Sequence, residues 1–153
     1  MKTALFTIGG VAYGFILLVL GFLAAGFGHG VFIPISMFSS PIWEILHAVI
    51  PEGPEYQTFA LIVFALGIVS LWGCVGWLLA ALARRSARIT LVVLLAVHYV
   101  ALPFVFLNGD WSYFPRVWKV EPLILVAGFS LYLLGQVAVW LILIRSFLGR
   151  KTY

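Results

Sequence analysis

Charge is what this chain has least of. Only 9% of its 153 residues are Asp, Glu, Lys or Arg, five acidic and nine basic, against 64% hydrophobic. Soluble domains carry about one quarter charged residues and about half apolar. The polar surface needed to cover a core in water is missing, so a soluble monomer is excluded. Intrinsic disorder is excluded too, since it needs low hydrophobicity and high net charge. One cysteine, Cys74, lies inside an apolar run. It permits no internal disulfide and no paired-cysteine metal site, and its default reading is a buried structural thiol. No G-x-S-x-G elbow, glycine-rich phosphate loop or nucleotide fingerprint occurs. No catalytic residue is therefore nominated, and the reading leans away from an enzyme.

What is present is apolar length. Four stretches, about 5–27, 59–83, 89–107 and 123–144, contain no Asp, Glu, Lys or Arg. Each is near the ~20 residues that carry a helix across the hydrocarbon of a bilayer. Backbone groups in lipid must pair within their own segment, which requires helices. The expectation is an all-α membrane protein, a four-helix transmembrane bundle forming one domain over 1–153. The first stretch has the basic start and small-residue end of a signal peptide, but its apolar run is longer than a usual signal core, so it reads as a retained helix. Without carboxylates or bases inside the spans, ion pumping by this chain alone is not expected.

Sidedness follows from the charges. Lys2, Arg84, Arg85, Arg88, Arg145, Arg150 and Lys151 fall on one side with no acidic residue. Glu44, Glu52, Glu55, Asp110 and Glu121 fall on the other, with Arg116 and Lys119. The positive-inside rule places both termini and a short turn at 84–88 in the cytoplasm, in a multi-pass protein. Arg84, Arg85 and Arg88 then face lipid head groups rather than nucleic acid. In the long outer connection, Ser40 as N-cap and Pro41 at the first helical position predict a short interfacial helix over about 41–50, stopped by Pro51-Glu52-Gly53-Pro54. Trp43, Tyr56, Trp111, Tyr113 and Trp118 suit an outer aromatic belt, and Trp77, Trp140 and Phe147 an inner one.

Small residues four apart, Gly10 with Gly14, Ser70 with Cys74 and Gly76 with Ala80, mark helix contacts. Ordinary bundle packing and a dimerisation motif both fit them. Polar side chains at membrane depth are few. Ser70, His98, Tyr99, Ser130 and Tyr132 fall near the midplane, Tyr13, Cys74 and Gln136 nearer the cytoplasm. Together they predict one inward strip, with His98, Tyr99, Tyr132, Gln136, Ser70 and Tyr13 as candidate ligand-binding residues. His98 is the most informative, because an ionisable group at that depth is a functional candidate by default. The plainer alternative is a structural imidazole bonded to Tyr132, Ser70 or Gln136.

Metal or haem binding through His98 is a further alternative. His29 lies roughly 13 Å from it in depth at 1.5 Å per residue, a poor second axial ligand. Glu44 and His47 have the Glu-x-x-His spacing of di-iron bundles. With His29 they make a weak surface metal candidate, and a solvated face is the simpler reading.

The stretches Ile33-Pro34-Ile35 and Ala48-Val49-Ile50-Pro51, with His98 and Pro103, faintly resemble the four-helix sterol-isomerase-like group. That group's membrane-embedded acidic residues have no counterpart in the second helix, where Ser70 and Leu71 stand. The resemblance implies binding or isomerisation of a sterol-like ligand. The composition and the apolar, aromatic-rich outer connections lead first to a different expectation. That is a non-catalytic accessory subunit whose partners are the bilayer and other membrane subunits. Binding, or isomerisation, of a lipid- or sterol-like small molecule at the strip around His98 is the alternative. No cofactor is specified.

Overall fold

The computed structural model describes residues 2–26, 49, 54–108 and 122–149. Four long helices account for them: α1 Lys2–Gly26, α2 Pro54–Ala80, α3 Arg85–Asn108 and α4 Pro122–Leu148. No strand occurs among the described residues. Among the described residues, three segments are long and apolar enough to cross a membrane, Lys2–Leu20, Ile62–Ala80 and Val126–Leu148. The expected interfacial helix over 41–50 lies outside the described residues except for Val49, which is helical and exposed.

Several boundaries differ from those read in the sequence, α1 beginning at Lys2 and α4 ending at Leu148 among them, and two have a local cause. The helix α2 begins at Pro54 rather than near 59. Proline lacks the N–H that a first helical residue leaves unpaired anyway, so Pro54, expected from the sequence to belong to a stop, starts a helix. The turn between α2 and α3 is at 81–84, not 84–88. There the Ala81 N–H reaches back to the Leu78 carbonyl at 3.0 Å and the Arg84 N–H to Ala81 at 2.9 Å, a tightened last turn. Arg85, Ser86, Ala87 and Arg88 then form the first turn of α3. Hydropathy ends with the apolar run, but arginine and alanine are good helix formers and carry the backbone past it.

The most extensive contact joins α1 and α2, which run antiparallel. Glycine sets their spacing. A Cβ at Gly10 would fall on the Trp72 carbonyl oxygen, and one at Gly76 on the Phe6 carbonyl oxygen. At Gly14 the added carbon would crowd the Trp72 side chain at 3.1 Å. Lipid tails are as apolar as leucine, so helix association in a bilayer relies on such close van der Waals approach. Of the small-residue pairs, those on α1 and α2 that contain glycine thus serve packing within the chain. Ser70 and Cys74 do not, as both are exposed.

Leu17, Phe64, Ile68, Leu91 and Leu143 are almost fully buried and form the core with Trp72, Leu95, Tyr132 and Val139. Outside it, every helix presents large apolar side chains, among them Leu5, Leu66, Val97, Val100 and Leu134.

Candidate functional site: a polar network between α3 and α4

On α4, Tyr132, Gln136 and Trp140 stand at four-residue intervals and share one face. On α3, His98 and Tyr99 are consecutive and turn toward it. The His98 Nε2 is hydrogen-bonded to the Tyr132 hydroxyl. Tyr99 donates to the Gln136 Oε1 at 2.8 Å and accepts from the Trp140 Nε1 at 2.9 Å. Rings reinforce the bonds: Tyr99 and Trp140 stack at 6.3 Å with planes 21° apart, and His98 lies edge-on to Tyr99 at 5.5 Å. His98 and Gln136 are both buried, at 6% exposure each.

Tyr13 joins from α1. Its hydroxyl donates to the carbonyls of Leu131 and Tyr132 at 3.0 and 3.2 Å. A helix carbonyl keeps a second lone pair after its own backbone bond, and this is what Tyr13 uses. Gly135 makes room, since a Cβ there would strike the Tyr13 hydroxyl. Tyr13 also meets Trp72 edge-to-face at 4.6 Å.

Five of the eight residues of the expected strip, Tyr13, His98, Tyr99, Tyr132 and Gln136, therefore converge, and these are five of the six candidate ligand-binding residues. Ser70 does not, and is exposed on α2. The inward face of α2 is set by Phe64, Ile68, Trp72 and Val75, and Ser70 is about 200° of helical rotation from Ile68. Ser130 is exposed for the same kind of reason, as is Cys74, contrary to the buried thiol expected of it. Two residues escaped the sequence reading. Trp140, assigned there to an interfacial belt, turns its N–H inward to Tyr99. Trp72 is 4% exposed, and its Nε1 has no hydrogen-bond partner among the described residues. Neither shows a polar letter in the sequence; only the four-residue spacing from Gln136 pointed at Trp140.

Beside the network an apolar cleft of about 260 Å³ opens between α2 and α3. Leu71, Trp72, Leu94 and Val97 line it, and His98 and Gln136 contribute to one part of its wall. The His98 Nδ1 and the Gln136 amide nitrogen take no hydrogen bond among the described residues. A second cleft of about 340 Å³, lined by Gly10, Tyr13, Gly76 and Gly135, lies across Trp72 from the first. His98 and Gln136 can hold one oxygen of a ligand whose body is apolar: the amide donates, and the imidazole nitrogen donates or accepts with its tautomer.

His29, Glu44 and His47 lie outside the described residues. Among the described residues, no group of three His, Cys, Asp or Glu is placed to hold a metal ion. At the far end of the bundle Arg84 and Arg85 are exposed, whereas Arg88 is buried at 7% exposure with its guanidinium carbon 5.0 Å above the Phe147 ring centre. No protein-family model, curated protein or solved structure matches the chain. The faint likeness to the sterol-isomerase-like group accordingly carries no weight.

Proposed function

We propose that this membrane protein crosses the bilayer four times, α3 included, with both termini and the 81–84 turn in the cytoplasm, and that it binds a lipid- or sterol-like small molecule beside His98. The helix α3 has 24 residues and no charge beyond Arg88, which supports the fourth crossing. One observation carries the binding reading: His98 and Gln136, each with a nitrogen that takes no hydrogen bond among the described residues, are lining residues of an apolar cleft of about 260 Å³. Small-molecule sites have this character, mostly apolar walls and a few placed polar groups. The bonds of the network hold these two side chains in position without filling the cleft.

The accessory-subunit reading rests on the absence of a catalytic constellation in the sequence and on outer connections whose aromatic residues, Tyr56 apart, lie outside the described ones. It predicts a different result in the same experiment. Protein purified in mild detergent is analysed by native mass spectrometry, beside a Val97→Trp variant that fills the cleft from its exposed wall. The binding reading expects one neutral, lipid-like mass on the wild type and its loss from the variant, with helicity unchanged. A wild type with no such mass, or equal occupancy in the variant, overturns it. An empty cleft in a stable hetero-complex would favour the subunit reading instead. A Soret band in the visible spectrum would mean haem on His98, and would require its Nε2 to leave Tyr132.

A further inference from the structure

Arg88 stands apart from its neighbours. It is 7% exposed, and its Nε is fully buried without a hydrogen-bond partner among the described residues. The ring of Phe147 covers one face of its guanidinium, a cation–π contact that does not neutralise charge. Among the described residues, no carboxylate is near. The acidic residue of the described helices, Glu55, sits in the first turn of α2, roughly 35–40 Å along the helix axis from Ala80. An isolated cation withdrawn from water is strongly disfavoured unless it is paired.

The surroundings favour one kind of partner. Arg88 lies in the first turn of α3, whose free N–H groups disfavour a cation and attract an anion. Arg84 precedes that turn and Arg85 opens it, both exposed, and Arg145 is exposed in the last turn of α4. The guanidinium fork matches phosphate oxygens in pairs. We infer that the α3 N-terminus and Arg88 form a phosphate site filled by the phosphodiester of an anionic phospholipid, with Arg84, Arg85 and Arg145 as its exposed rim. The choice of a lipid over soluble phosphate rests on the proposed orientation, which puts this end of the bundle among cytoplasmic head groups.

Purified protein in non-ionic detergent is titrated with short-chain phosphatidylglycerol, phosphatidylcholine or inorganic phosphate, and its thermal midpoint is followed at low salt and at high salt. Phosphatidylglycerol is expected to raise the midpoint of the wild type, and phosphatidylcholine and phosphate to leave it unchanged. Rim contributions are screened by salt, so the double variant R84Q/R85Q should match the wild type at high salt. R88Q should bind about tenfold more weakly under both conditions, as expected for loss of a charge-assisted pair. If R88Q fails to fold, R88K decides: it keeps the charge but not the fork, and should bind several-fold more weakly. Undiminished binding by R88Q, or by R88K in its place, overturns the inference. An equal response to inorganic phosphate overturns the lipid assignment. Micelles have no sides, so this outcome is independent of whether the membrane orientation is right. A maleimide that cannot cross membranes, applied to Ser86→Cys in vesicles, tests that separately.

Discussion

Tyr99 has two partners, and losing its hydroxyl strands both. Tyr99→Phe keeps the ring and its stack on Trp140 but leaves the Trp140 Nε1 and the Gln136 Oε1 without the bonds they make. Inter-helix side-chain hydrogen bonds in membranes average about 0.6 kcal/mol and reach about 1.7. With two bonds broken at a part-buried site, Tyr99→Phe is expected to cost about 1–2 kcal/mol. Unfolding in detergent mixtures measures it, and a cycle with Gln136→Leu isolates the Tyr99–Gln136 term. A second variant probes Tyr13. Gly135→Ala puts a carbon where the Tyr13 hydroxyl lies, so the ring must leave and both of its bonds to α4 go with it. We expect Gly135→Ala to destabilise more than Tyr13→Phe, which removes the bonds without the clash; equal losses would mean that the ring moves freely. The residues of this network were legible because a polar group at membrane depth must find a partner. Which way a side chain turns was not legible. Trp140 has an apolar body and one N–H, and its depth alone suits a belt as well as a buried bond.

At the scale of elements, packing rotates α2 to a position that its own pattern does not specify. Its residues are apolar all round, so no stripe marks an inner face. Instead Gly10, Gly14 and Gly76 fix where α1 and α2 touch, and Trp72 follows inward while Ser70 is carried out. This is why the strip read from depth included Ser70. Helix existence was legible from length and hydropathy. Helix ends were not, because Pro54 and the 85–88 turn extend helices beyond the apolar runs that announce them. The glycine contact gives a controlled test. Gly9 has nothing within 4 Å of an added Cβ, while Gly10 meets the Trp72 backbone. Gly9→Ala is expected to be neutral or slightly stabilising, since alanine is the better helix former. Gly10→Ala must push two backbones apart and is expected to cost about 1–3 kcal/mol. Equal stabilities for the two variants, in the same unfolding assay, would remove glycine from its role in setting the α1–α2 distance.

For the molecule as a whole, the outward surface decides the solvent. Leu5, Leu66, Val100 and Leu134 are each more than 60% exposed, on four different helices. Apolar patches of that extent on a water-soluble protein drive association, whereas lipid tails solvate them. Because α3 shares this surface, with Ile89, Val93, Val97 and Val100 exposed, the same argument extends to it and predicts the fourth crossing. Three single-cysteine variants test this on a Cys74→Ser background: Thr58→Cys near the start of α2, Ser86→Cys in the first turn of α3, and Leu123→Cys in the first turn of α4, all at exposed positions. In sealed vesicles of known orientation, an impermeant maleimide should reach Ser86→Cys from the cytoplasmic face alone, and Thr58→Cys and Leu123→Cys from the opposite face alone. Thr58 and Ser86 on the same side would deny the crossing by α2. Ser86 and Leu123 on the same side would make α3 a helix that enters and returns, leaving three crossings. The chain ends would then lie on opposite faces, and Arg145 would no longer share a membrane surface with Arg88.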